Sequence, residues 1–138
     1  MKLSIGQQAA RELTVTDEMV RAYAEITGDR NPLHFDAEFT ARTRFKRLMA
    51  QGGITTGLLH ALVAMDMPGP GSVFIRQSWT FPRPVYIGET IRAQATVKSV
   101  RERRSMAELE FTIVNQDGET VLEGQATVYQ AEPESERS

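Results

Sequence analysis

With 138 residues, the chain fits one domain of ordinary size and is too short for a barrel of eight strands and eight helices. Hydrophobic residues at 41% and charged residues at 25% exclude wholesale disorder. The 16 Lys and Arg against 18 Asp and Glu give a net charge of −2, which excludes nucleic-acid binding driven by overall charge.

Residues 8–15 (QAARELTV) read as a first strand. Thr16 is an N-cap for a helix that runs to about Thr27, with Asp17 and Glu18 in its first turn, where they complement the helix dipole. Met19, Val20, Tyr23, Ala24 and Ile26 recur at helical spacing on one face, and Gly28 ends the helix. Residues 28–36 (GDRNPLHFD) form a loop in which Pro32 drives Asn31 out of the helical region. A short helix follows from Ala37 to Ala41. A second long helix starts near Gly52 and Gly53, and Ile54 to Met67 is apolar on nearly every face, which is the pattern of a buried helix. The run Pro68-Gly69-Pro70-Gly71 stops it. Residues Val73 to Phe81, Thr90 to Val100, Met106 to Asn115 and Thr120 to Tyr129 then alternate with period two, as strands do. Asp117-Gly118 marks the hairpin between the last two, and residues 101–105 (RERRS) form another turn.

This order predicts a two-layer α+β domain over residues 1–131, with an antiparallel sheet curled round one buried helix and a disordered polar tail over 132–138. One sheet cannot cover a helix that is apolar all round, so a partner subunit is a candidate for the remaining cover. Cysteine is absent, which excludes disulfides, thiolate metal sites and a cysteine nucleophile. Two histidines leave little for a metal centre, and none is expected. The N-terminal stretch lacks the apolar run of a signal peptide, and no segment approaches the ~18–20 apolar residues of a membrane span. A soluble, cytoplasmic protein with no membrane or nucleic-acid partner is expected.

Chemistry concentrates in the stretch Tyr23 to Phe39. Asp29 and His34 lie five residues apart on a loop stiffened by Gly28, Asn31 and Pro32. Two readings fit that spacing. Asp29 can be a turn residue and His34 a packed side chain, or the carboxylate and imidazole can grip one water and move its protons. Asn31 fits a loop-fixing hydrogen-bonding role.

The run Gly28-Asp29-Arg30-Asn31-Pro32-Leu33-His34, preceded by the aromatic Tyr23, resembles the motif of the MaoC-like (R)-specific enoyl-CoA hydratases and dehydratases. The likeness extends through Arg44-Phe45-Lys46-Arg47, Met49-Ala50-Gln51-Gly52-Gly53, Pro68 to Ser72, Trp79 to Val85 and Gly88-Glu89-Thr90, covering roughly residues 5–130. The resemblance implies a single hotdog domain that pairs as a homodimer or higher homo-oligomer. It implies (R)-specific hydration of trans-2-enoyl-CoA, and the reverse dehydration, with Asp29 and His34 as the acid–base pair. The Gly52 amide would polarise the thioester carbonyl at the start of the buried helix. Coenzyme A would enter only as part of the substrate, with no other cofactor. The basic cluster Arg42, Arg44, Lys46 and Arg47 is either a solvated surface or a contact for the coenzyme A phosphates or an acidic acyl carrier protein. A 3-hydroxyacyl-carrier-protein dehydratase, a thioesterase and a non-catalytic acyl-CoA-binding subunit are the alternatives.

The chain departs from the family pattern in several places. Gln51 stands where the family commonly has His. Ala41, the nearest small residue after the motif, is not at the usual offset from His34. His60 interrupts the apolar helix, and three roles fit it: a core residue, a support for Asp29, or a side chain that shortens the acyl pocket.

Overall fold

The computed structural model describes residues 1–133; of the tail expected over 132–138, residues 134–138 lie outside the described residues. Five strands, β1 (Gln8–Thr14), β2 (Ser72–Thr80), β3 (Thr90–Arg101), β4 (Met106–Asn115) and β5 (Thr120–Gln130), form one antiparallel sheet in the order β1-β3-β4-β5-β2. Four helices accompany them: α1 (Asp17–Thr27), α2 (Pro32–Phe35), α3 (Ala37–Ala41) and α4 (Gly52–Ala61). A π-helical turn, Leu62–Asp66, extends α4 and closes with Met67 N donating to Leu62 O at 2.9 Å.

Alternation along the strands builds the core. Ile91, Ala93, Ala95 and Val97 of β3 face inward with Ala107, Leu109, Phe111 and Ile113 of β4, and Leu58, Leu59, Leu62 and Val63 of the central helix join the same buried cluster. Each large aliphatic side chain there contributes about 1.5–3 kcal/mol by leaving water. The β4–β5 hairpin turns at Asp117-Gly118 as expected, because Asn115 Oδ1 accepts from the amides of both Asp117 and Glu119 at 3.0 Å.

Two expectations need correction. The 28–36 loop contains a helical turn, α2, because Asn31 caps it (Oδ1 accepts from Leu33 N at 3.1 Å) and Pro32 suits its first position. As expected, the sheet does not cover the central helix on all sides: Met65 is 62% exposed, but His60 is left exposed as well. His60 is therefore no core residue. Its Nε2 accepts from Gln77 Nε2 at 3.2 Å, its ring meets Phe74 edge-on at 4.7 Å, and Gln77 Oε1 in turn accepts from Trp79 Nε1 at 3.1 Å. These partners on β2, rather than Asp29, engage it.

Candidate active site

The site grows from the end of α1. Thr16 Oγ1 accepts from Met19 N at 3.2 Å to start that helix, and Gly28 ends it in the left-handed region at φ 82°. The chain then turns through Asp29, whose amide donates to Thr27 Oγ1 at 3.1 Å and whose Oδ1 accepts from Asn31 N at 3.3 Å. Arg30 leaves the site and pairs with Glu25. Asn31 holds the start of α2, and that single turn carries His34 into the interior, where it is 6% exposed. The Asn31 amide is thus structural in its contacts, as its residue type implies.

Nδ1 of His34 lies 2.6 Å from the carbonyl oxygen of Met49. A carbonyl only accepts, so Nδ1 carries the hydrogen, and in the neutral ring Nε2 is left with its lone pair. Nε2 faces Asp29 Oδ1 at 3.9 Å. That gap is too long for a direct hydrogen bond and short enough for one water to donate to both acceptors. The Asp29 side chain is 42% exposed, so the pair is open to a ligand on one side and walled by protein on the other.

The segment that anchors His34 also leads into α4. Met49 N donates to Leu33 O at 3.1 Å, Ala50 N donates to Val85 O at 2.8 Å, and the helix begins at Gly52. Its N-cap, Gln51, makes no capping bond. The first amide of α4 engaged by an acceptor is Ile54 N, which donates to Gln51 O at 3.0 Å. Among the described residues, the amides of Gly52 and Gly53 donate to no other group, so the positive end of the helix dipole is available to a developing oxyanion. Tyr23, on α1, packs against Gly53: a Cβ there would sit 1.8 Å from its hydroxyl oxygen and 2.3 Å from Cζ. That contact sets how closely α1 approaches the start of α4.

Beside Gly52 runs an apolar cavity of about 270 Å³, walled by Phe45, Phe81, Pro84 and Val85 and flanked by Arg44 and Arg83. Of the expected basic cluster, Arg44 alone lines this cavity. Arg47 stacks over the Tyr86 ring at 4.0 Å and borders an adjoining polar groove, while Arg42 and Lys46 are exposed. Arg83, which sequence reading did not single out, borders both concavities, and its Nε pairs with Glu119 Oε2 at 3.2 Å.

Residues 3–118 match the family described as the MaoC like domain. The chain belongs to that MaoC-like family. It is 38% identical to the 3-hydroxybutyryl-CoA dehydratase of Methylorubrum extorquens over 91% of this chain and 80% of that protein. It is 34% identical to the (R)-specific enoyl-CoA hydratase of Aeromonas caviae, covering 91% of this chain and 94% of the relative. The solved structure of the A. caviae (R)-hydratase superposes with a TM-score of 0.88 at 33% identity, over 94% of this chain and 98% of that one. The expected hotdog fold is therefore the fold of this MaoC-like domain, a curved five-stranded sheet around a central helix.

Among the described residues, no three His, Asp or Glu side chains gather as a metal-binding cluster, and no helix is long and apolar enough to cross a membrane.

Proposed function

We propose that this MaoC-like protein catalyses the reversible (R)-specific hydration of trans-2-enoyl-CoA to (R)-3-hydroxyacyl-CoA. The observation that carries the reading is the 3.9 Å span between Asp29 Oδ1 and a His34 Nε2 whose lone pair is set free by the Met49 carbonyl. A water held between the two attacks the β-carbon. Its oxygen forms the new C–O bond while Nε2 takes one of its protons. The electron pair of the carbon–carbon double bond moves to the thioester oxygen, where the Gly52 amide stabilises it. The imidazolium so formed strengthens its Nδ1 bond to Met49 O, since charge-assisted hydrogen bonds are about twice as strong as neutral ones. It then returns the proton to the α-carbon, on the face from which the water came. The balance is addition of one water with no metal, redox partner or cofactor; coenzyme A is part of the substrate.

The apolar cavity beside Gly52 suits the pantetheine arm, and Arg44 and Arg83 suit the phosphates of coenzyme A. Arg44→Gln is expected to raise KM for crotonyl-CoA about ten-fold, the loss of one charged hydrogen bond of roughly 1.5 kcal/mol. KM for the N-acetylcysteamine thioester, which has no phosphates, should stay unchanged. Equal effects on both substrates would remove the phosphate role.

A second copy of the chain is the proposed partner. Strand β2 is an edge of the sheet with Val73 52% and Ile75 54% exposed, and the bare Met65 belongs to the central helix. Apolar free edges invite pairing. Sedimentation velocity should give twice the chain mass for the wild type and the chain mass for Ile75→Lys; a monomeric wild type would reject the pairing.

The reading itself is tested with crotonyl-CoA: the enoyl-thioester absorbance should fall, and chiral chromatography should show the (R)-3-hydroxy product. Release of free thiol in place of that product would indicate hydrolysis and overturn it.

A further inference from the structure

Gln51 stands out among the buried polar groups. Its side chain is 1% exposed; Nε2 donates to Val20 O at 3.0 Å, and Oε1 has no hydrogen-bond partner. Leaving such an acceptor buried and unpaired is unfavourable, and a methionine of the same length would fill the space without it. Folding therefore does not explain the residue.

Its connections do. Within four residues, the chain from Met49 to Gly52 touches every part of the site: Met49 O receives His34 Nδ1, Ala50 N is tied to Val85 O, the Gln51 side chain is tied to α1, and Gly52 supplies the free amide. Val20 lies on the helix whose C-terminal Gly28 leads directly into Asp29. Among the described residues, the Gln51–Val20 bond is the only side-chain hydrogen bond that joins α1 to this segment. Tyr23 against Gly53 sets the contact distance between the two elements but, being a packing contact, leaves them free to slide.

We infer that Gln51 is a positioning residue: its hydrogen bond to Val20 fixes the register of α1 against the start of α4, and so the placement of Asp29 relative to both His34 and the Gly52 amide. The inference rests on the proposed hydration. Because a misplacement of about 1 Å can lower a rate about 100-fold, its signature is in kcat.

The test is Gln51→Met and Gln51→His, with crotonyl-CoA kinetics and thermal unfolding on the same preparations. Gln51→Met is expected to lower kcat 10- to 100-fold, leave KM within about two-fold, and leave Tm unchanged or raised. Gln51→His, whose ring retains an N–H donor, should recover kcat to within a few-fold of wild type. A wild-type kcat in Gln51→Met overturns the inference. So does a folded Gln51→His with no recovery, or a Gln51→Met whose lost activity follows a fall in Tm, which would mark a purely structural anchor. If Gln51→Met does not fold, the Gln51→His rate alone decides between these outcomes. Wild-type turnover of crotonyl-CoA is measured first, so that failure of the hydratase reading is seen separately.

Discussion

Asp29→Asn should lower kcat for crotonyl-CoA by about 10²- to 10⁴-fold, the range expected for loss of a positioned acid–base group. The same substitution should shift Tm by less than ~2 °C, because the side chain is 42% exposed and such changes cost little. Asn keeps the size of Asp, and its oxygen can still accept from the Asn31 amide, so the turn survives. What changes is the charge on that oxygen, which also lies 3.9 Å from His34 Nε2. A neutral amide holds the water weakly in one orientation of its side chain and offers it a competing donor in the other. His34→Ala should also abolish turnover, but it is a poorer probe. It leaves the Met49 carbonyl without its donor and opens a hole at a buried position, at a stability cost of about 1–3 kcal/mol for the unpaired group alone. Asp29→Asn at the wild-type rate would remove the carboxylate from the mechanism, and the acid–base pair with it.

Much of the fold was legible because the signals were local and agreed with one another. Thr16 with Asp17 and Glu18 announces α1, Asp117-Gly118 announces the last hairpin, and the strands alternate in burial with few interruptions. The central helix shows what local signals leave out. Apolar residues all round it pointed to cover from beyond the sheet, and the sheet does cover only part of it, but which residues stay bare depends on what faces the helix. His60 was left with three roles because periodicity gives a residue's angle on the helix and not the neighbour at that angle, which proved to be Phe74 and Gln77 on a strand that pairs at the far edge of the sheet.

The site divided along a similar line. The spacing of Asp29 and His34 within one short loop was readable, and the structure brings the two together. The tautomer of His34 was not readable, because it depends on the Met49 carbonyl, 15 residues away in sequence. Nor was the part of Arg83, which reaches the cavity beside Gly52 only because the chain after β2 folds back along the segment before α4. Gln51 appeared only as a departure from a family pattern; its unpaired oxygen and its bond to Val20 exist only in three dimensions.

Gly124→Ala carries the largest expected loss of stability, and its cause is backbone. Gly124 of β5 pairs with Trp79 of β2 on one side and Phe111 of β4 on the other. An added Cβ would lie 1.9 Å from the carbonyl oxygen of Ser78 and 2.8 Å from Cε3 of Trp79. A carbonyl fixed in the strand cannot rotate aside as a flexible side-chain tip can, so β2 must draw back. As an edge strand it is held in the sheet by β5 alone. Drawing back also loosens the edge-on contacts of Trp79 with Phe111 at 5.3 Å and with Phe74 at 6.2 Å. Overpacking of a well-filled site costs about 1–3 kcal/mol and sometimes more, and with a strand displaced the expected fall in Tm is roughly 10 °C or more. Trp79 is the single tryptophan, so its fluorescence reports this strand directly and should shift to the red in the variant before global unfolding. Asp29, His34 and Gly52 lie on α1 through the start of α4 and do not pair with β2, whereas Phe81 and Arg83 of the cavity follow β2 directly, so the folded fraction of Gly124→Ala should show a raised KM before any loss of kcat. An unchanged Tm with unchanged Trp79 emission would mean that β2 gives way at no cost, and the prediction would fail.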